Sequence, residues 1–311
     1  MHIQRGAWAE INLDAVAHNV QMAKANLKPT TKLCAVVKAD AYGHGAVRVA
    51  QEAARNGADF FAVALLQEGV KLREAGIETP ILVLGSMLPE VAEICVRYDI
   101  SHAVFDEERL YALNAAALKL HTKAKIHIKI DTGMHRIGVH VRDAGRFAKL
   151  AASLPGIYIE GVFSHFATAD ADDKQYAAYQ FERFQEALRL IEAEGVHIPI
   201  RHIANSAALT ELQEYQLDMV RQGITLYGLH PAHMIDCYKD FEPVMTVKTQ
   251  VAFVKTLPPG ETIGYGRTYT LTRPSVIATV PIGYADGVSR RLSNRGYMLV
   301  NGKKAPIIGR V

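Results

Sequence analysis

The sequence predicts a (β/α)₈ barrel followed by a mostly β domain. Three observations carry that reading. Short, β-branched apolar runs alternate with helical stretches from the start to about residue 230. Such alternation over roughly 220–250 residues is the length of a closed barrel. Beyond "PAHMIDCYKDFEP" the long helices stop and strand-like runs follow one another directly.

The individual runs support the pattern. "KLCAVVK", "FFAVAL", "ILVLG", "HAVF", "KIHIKID", "IYIEGVFSH" and "RHIAN" are brief, apolar and bounded by turn or polar residues, as barrel strands are. Between them, "DKQYAAYQFERFQEALRLIEAEG" spaces Phe181, Phe184, Leu188 and Ile191 at three and four, with Gly195 as its stop. Counting from "AWAEIN" to "LDMVRQG" gives about eight units, which makes "KLCAVVK" the second strand. A doubly wound open sheet has the same periodicity and is the structural alternative. Then "VMTVKTQVAFVKTL", "SVIATVPIG" and "YMLVNGKKAPIIGRV" read as strands, with turns at "PPG" and "NGK". The domains are therefore expected at 1–235 and 236–311. Because the chain stops within the apolar run "APIIGRV", the second domain is expected to be incomplete.

Composition narrows the function. The 311 residues are 49% hydrophobic and 22% charged, and 35 basic against 32 acidic residues leave a net charge of +3. No basic stripe interleaved with aromatics argues for nucleic acid, and no run approaches the roughly 18 apolar residues of a membrane helix. Three scattered cysteines fit a reducing cytoplasm better than a disulfide framework. The 13 histidines lack H-E-x-x-H spacing, so no metal site is expected.

The chemistry of such a barrel sits at the C-terminal ends of its strands. Lys38 occupies one such end, where desolvation would depress its pKa and make it a nucleophile; a snorkelling lysine is the bland alternative. Arg136, His165, Asn205, Ser206, Arg221 and Gly223 fall at others. Together they suit an anionic cofactor, with Gly223 offering backbone N–H to phosphate.

The blocks "AWAEINLDAVAHN", "AVVKADAYGHGA", "KIDTGMHRIG", "FSHFATAD", "ANSAA", "RQGITLYG", "GYGRTYT" and "PIGYADG" run in order along almost the whole chain. In them the sequence resembles the pyridoxal 5'-phosphate-dependent alanine racemases, whose fold is a (β/α)₈ barrel plus a β domain. The resemblance implies that Lys38 carries the cofactor. It assigns the phosphate to Tyr42, Ser206, Gly223 and Ile224, the ring side to His165 and Asn205, and the pyridine nitrogen to Arg221. Lys38 and Tyr265 would be the two acid–base groups, with Tyr265 reaching across a head-to-tail homodimer; taken alone, Tyr265 is as well read as a strand aromatic. Arg136 would partner Tyr265 beside the substrate carboxylate. Lys129 matches a position carried as a carbamate in some relatives, and Tyr284 matches one at the pocket entrance, where packing is an equal reading. His135 stands where relatives often have a small residue.

The implied activity is interconversion of L- and D-alanine by two bases, supplying D-alanine for peptidoglycan. A serine or broad-spectrum racemase, a barrel decarboxylase acting on basic amino acids and a non-catalytic cofactor carrier are the alternatives. Relatives also extend further, with a methionine near the substrate and a tyrosine on the phosphate.

Overall fold

The structure is a computed structural model and describes residues 6–231 and 237–311. It divides into two compact units. Asn12–Val244 forms one; the N-terminal segment ending at Ile11, with Met245–Val311, forms the other. The boundary expected at residues 235 and 236 lies outside the described residues.

The larger unit is the predicted barrel. Its eight principal strands are β2 (Lys32–Val36), β3 (Phe60–Val63), β4 (Ile81–Val83), β5 (Ser101–Val104), β6 (Ala124–Asp131), β8 (Ile157–Phe163), β9 (Ile200–His202) and β10 (Met219–Gln222). They pair in parallel in the order β10-β2-β3-β4-β5-β6-β8-β9, with the short β7 (Val139–His140) beside β6. Two backbone bonds, Asp218 N–H to Arg201 O at 3.1 Å and Arg221 N–H to Ala204 O at 3.1 Å, close β9 against β10. The open doubly wound alternative is thereby excluded.

One unit was miscounted from sequence. "AWAEI" is β1 (Ala7–Ile11), but it pairs antiparallel with β11 (Met245–Thr249) and belongs to the smaller unit. Its three central residues are exposed, unlike the wholly buried β3 and β4. The barrel therefore starts at β2, after helix α1 (Leu13–Ala25), and Lys38 ends the first barrel strand rather than the second.

Alternation along the strands sorts side chains between two layers. Cys34, Val36, Phe60, Ala62, Leu82, Ile200 and Met219 form one cluster in the lumen. Their neighbours Leu33, Ala35, Phe61 and Ile81 are buried too, on the other face. Helices α3 (Ala46–Arg55), α4 (Leu66–Glu74), α5 (Ala92–Arg97), α6 (Glu107–Lys119), α7 (Ala144–Ser153) and α8 (Gln175–Ala193) cover that outer face. Helix α8 occupies the predicted stretch and stops before Gly195, whose φ of 74° only glycine adopts cheaply. Its buried stripe is Ala177, Gln180, Phe184, Ala187 and Ile191. Phe181 and Leu188, expected in the stripe, are half-buried at its edge, where Phe181 stacks on Tyr215.

In the smaller unit, β11 continues to β12 (Phe253–Leu257), β13 (Thr262–Ile263), β14 (Tyr269–Thr270), β15 (Ser275–Thr279), β16 (Tyr297–Val300) and β17 (Lys303–Pro306). All its pairings are antiparallel. The "NGK" turn joins β16 to β17 with Asn301 and Gly302 at φ 49° and 75°, the left-handed pair that a two-residue hairpin requires.

Candidate active site

At the C-terminal ends of the barrel strands lies a cavity of about 650 Å³. Strand β2 delivers Lys38 to it, and β6 delivers Lys129. His165 comes from just beyond β8, Asn205 and Ser206 from beyond β9, and Arg221 and Gly223 from β10 and its end. The sequence placed Lys38, Tyr42, Lys129, Arg136, His165, Asn205, Ser206, Arg221, Gly223 and Ile224 at one site, and all ten line this cavity.

Lys38 opens a five-residue turn, α2 (Lys38–Tyr42), that winds left-handed. Ala39, Asp40, Ala41 and Tyr42 have φ of 51°, 52°, 55° and 53°. Each such residue costs roughly 1–2 kcal/mol, so the turn needs outside support. Glu68 Oε1 accepts the Ala39 N–H at 2.6 Å, and Asp40 Oδ1 accepts the Ala46 N–H at 3.0 Å. Half-buried Lys38 has its pKa lowered, first by burial and then by the Arg136 charge, with Glu68 opposing and Arg221 adding to the fall. Burial and the neighbouring cations thereby favour the neutral amine relative to a free lysine.

Four basic side chains, Lys38, Lys129, Arg136 and Arg221, line the cavity with one carboxylate, Asp170. Lys129 is buried, donates to Ile130 O at 2.9 Å and sits over the Phe163 ring. Burial, and then the Arg221 charge, pull its ammonium down to about 7; Asp131 opposes, and Arg136 adds to the fall. Burial lowers the Arg221 guanidinium to about 10, so it stays charged at neutral pH. Its Nη2 donates to Ser164 O at 2.8 Å, Ile203 O at 3.0 Å and His165 Nδ1 at 3.0 Å. Accepting on Nδ1 places the His165 proton on Nε2. Burial and then Arg221 hold the imidazolium form of His165 well below its usual range.

The far end of the cavity is a cradle for an anion. Ser206 Oγ accepts the Gly223 N–H at 2.8 Å and the Thr225 hydroxyl at 3.2 Å, so its own proton is left to donate. Gly223 has φ −106° and ψ −101°, and its lack of a side chain also leaves space. A Cβ there would stand 3.6 Å from Ser206 Oγ and 3.8 Å from the Tyr42 hydroxyl, filling the space those hydroxyls face. This cradle, with Lys38 and charged Arg221 lining the same cavity, fits the phosphate, aldehyde and ring nitrogen of pyridoxal phosphate. The Gly223 N–H itself goes to Ser206, so the serine hydroxyl carries that contact outward. Asn205 is also structural, because its Oδ1 accepts the Ala208 N–H at 3.1 Å and caps α9 (Ser206–Glu211).

Tyr265 and Tyr284 lie in the smaller unit, 85% and 68% exposed, each opening a short 3₁₀ turn. Sequence reasoning missed the apolar wall of Leu84, Met134, Ile137, Phe163 and Phe166. It also missed Glu68, whose signal was its place three residues after Leu65, where Glu68 Oε2 accepts the Leu65 N–H as in a capping box.

Comparison with known proteins identifies the family. The profile of the alanine racemase N-terminal domain matches residues 11–231, and that of the C-terminal domain matches 244–311. The alanine racemase of Desulfovibrio desulfuricans is 46% identical over 307 residues, covering 99% of this chain and 83% of that protein. That of Halothermothrix orenii is 47% identical over 309 residues, covering 99% and 82%. Among solved structures, the Clostridium difficile 630 alanine racemase superposes with a TM-score of 0.94 at 39% identity, covering 99% of this chain and 81% of that one. The Bacillus anthracis alanine racemase with bound L-Ala-P gives 0.92 at 39% identity, covering 100% and 81%. Two domain matches in sequence order and near-half identity over almost the whole chain have one consistent explanation: this chain belongs to the alanine racemase family.

Proposed function

We propose that this chain is a pyridoxal 5'-phosphate-dependent alanine racemase that interconverts L- and D-alanine and supplies D-alanine for peptidoglycan. The observation that carries the reading is Lys38, with its lowered pKa, lining one cavity with Arg221 and the Ser206–Gly223 cradle. When bound, the cofactor supplies an electron sink that acidifies the α-C–H of the amino acid attached to it.

Lys38 holds the cofactor and serves as one acid–base group, exchanging a proton between its Nζ and the substrate α-carbon. Tyr42, Ser206 and Ile224 hold the phosphate, with Gly223 leaving room for it and bonding the Ser206 hydroxyl that faces it. His165 and Asn205 flank the ring. Arg221 presents a donor-only cation to the ring nitrogen, which disfavours protonation there and suits proton exchange better than transamination. Arg136 orients the substrate carboxylate. With its pKa down at about 7, part of the Lys129 amine is neutral at neutral pH and takes up CO₂: its lone pair forms an N–C bond, a C=O π pair moves to oxygen, and an N–H proton leaves to solvent.

The second acid–base group is Tyr265 of the partner subunit in a head-to-tail homodimer, with Tyr284 at the pocket entrance. The exposed phenol of Tyr265 supports this, as do Phe253 and Val276, which are 60% and 70% exposed on strands of the same unit. Among the described residues no helix is long and apolar enough to cross a membrane, and a cytoplasmic location is the proposed one. The test is incubation of cofactor-loaded protein with L-alanine, followed by chiral chromatography. Equal L- and D-alanine is expected. Release of CO₂ with ethylamine and no D-alanine, or no reaction, overturns the proposal, and a panel including serine defines its breadth.

A further inference from the structure

Below the cavity, a polar chain leads away from Arg221 through residues that none of the roles above uses. Arg221 Nη1 lies 2.7 Å from His202 Nδ1. His202 Nε2 is 2.9 Å from His127 Nδ1, and His127 Nε2 is 3.0 Å from Glu160 Oε2. Ser101 Oγ donates to the same carboxylate oxygen. Both imidazoles are fully buried and Arg221 is 3% exposed, so water does not complete these contacts.

The proton positions follow from the chemistry of the two ends. Arginine has no acceptor, so His202 Nδ1 must accept. Its proton then resides on Nε2 and is donated to His127 Nδ1. His127 in turn holds its proton on Nε2 and donates it to Glu160. The opposite direction would require His202 to accept on both nitrogens, as an imidazolate. Every bond therefore runs from Arg221 to Glu160. The physical environment agrees: burial, and then the Arg221 charge, hold the imidazolium form of His202 well below its usual range. Burial would raise the Glu160 carboxyl, but the bonds from His127 and Ser101 hold it below the ordinary value.

Two local departures from regular barrel geometry make room for this chain. The pairing of β6 with β8 slips between Ile126 and His127: Ile126 faces Ile159, but His127 faces Gly161, leaving Glu160 as the extra residue of a bulge. A Cβ on Gly161 would come within 2.4 Å of His127 Nδ1 and 2.7 Å of Ile200 O. Bulge and glycine together admit the His127 ring and bring Glu160 to it.

We propose that Glu160, acting through His127 and His202, is a positioning residue that keeps Arg221 in one orientation at the ring end of the cavity. This rests on the assignment of Arg221 to the cofactor ring. The carboxylate accepts but cannot donate, so it fixes the tautomer of His127, and His127 fixes that of His202. A His202 with its proton on Nδ1 would point N–H at N–H and displace the guanidinium. Glu160 forbids that arrangement from two rings away.

The test combines ¹⁵N imidazole NMR of the cofactor-loaded enzyme with steady-state kinetics for wild type, Glu160→Gln and Glu160→Ala. In wild type both His127 and His202 should be Nε2–H tautomers. Glu160→Gln keeps an acceptor oxygen, so it should keep both tautomers and recover kcat to within about threefold. Glu160→Ala should mix the His127 tautomers and lower kcat about tenfold while KM changes less than about twofold. An Nδ1–H proton on either ring in wild type overturns the proposal. So do unchanged tautomers in Glu160→Ala, or equal losses of kcat in the two variants. If Glu160→Ala does not fold, the wild-type and Glu160→Gln spectra decide alone. A wild-type absorbance and rate in Arg221→Glu would remove the ring assignment instead, a result separate from the tautomers of the native enzyme.

Discussion

Lys129 shows how much of a residue's chemistry depends on what the fold places beside it. In "KIHIKID" it is one more alternating lysine; in the barrel it is buried with Arg221 and Arg136 acting on it, and its pKa falls from 10.5 to about 7. The linkage has a definite sign. Below about pH 7 both folded and unfolded chains hold the proton, and the full cost of burying the charge is present. Between about 7 and 10.5 the unfolded chain binds more protons, so stability rises with pH. Denaturant unfolding of cofactor-free protein should show wild type gaining roughly 3–5 kcal/mol over Lys129→Met across that window. Parallel pH profiles would contradict the depressed pKa. Lys38 is the complementary case. Its strand-end position was legible in sequence, because an apolar run ending in lysine before "ADAYGHG" has few structural explanations. Borohydride treatment of cofactor-loaded protein should leave one pyridoxyl-bearing peptide containing Lys38, and label on Lys129 would refute the assignment. The His127–His202–Glu160 chain was not legible. Nothing in the spacing of "KIHIKID", "IYIEGVFSH" and "RHIAN" announces that a bulge will bring those strands' polar residues together.

At the scale of elements, periodicity located the strands and helix α8 because burial on one or two faces writes itself into the sequence. It failed at "AWAEI", since a strand pattern records that a segment is extended but not which sheet accepts it. It also could not reveal the left-handed turn after Lys38. Ala39 and Ala41 do not favour that conformation, and the first glycine, Gly43, comes only after the turn. The turn persists because Glu68 takes the Ala39, Ala64 and Leu65 N–H groups with its two oxygens. Glu68→Ala strands these donors and should destabilise the protein by about 2–3 kcal/mol in urea unfolding. Glu68→Gln keeps an acceptor but loses the charge that raises the Lys38 pKa. The amine should then deprotonate at lower pH, moving the midpoint of the pH profile for cofactor attachment downward. A midpoint that stays in place would show that Glu68 acts through the backbone alone.

For the whole molecule, the question is where the second acid–base group comes from. Racemisation needs groups on opposite faces of the α-carbon, because one base returning its own proton to one face only exchanges hydrogen. In the proposed mechanism Lys38 supplies one face from the barrel. Tyr265 belongs to the other unit, is 85% exposed, and its phenol makes no hydrogen bond among the described residues. Its turn carries Gly264, Gly266 and Arg267 at φ 72°, 71° and 50°, a conformation that aims the loop rather than one adopted freely. If Tyr265 of the partner subunit completes each site, a dimer of one Lys38→Ala and one Tyr265→Ala chain contains one site with both groups and one with neither. Each variant alone should be inactive in racemisation, although Tyr265→Ala should still bind cofactor and exchange the α-proton of one enantiomer. After mixing and confirmed subunit exchange, random reassortment should return about a quarter of the wild-type rate per chain. The recovered rate should follow the heterodimer fraction measured by native mass spectrometry. Heterodimers that form but remain inactive would place both groups of each site on the same chain.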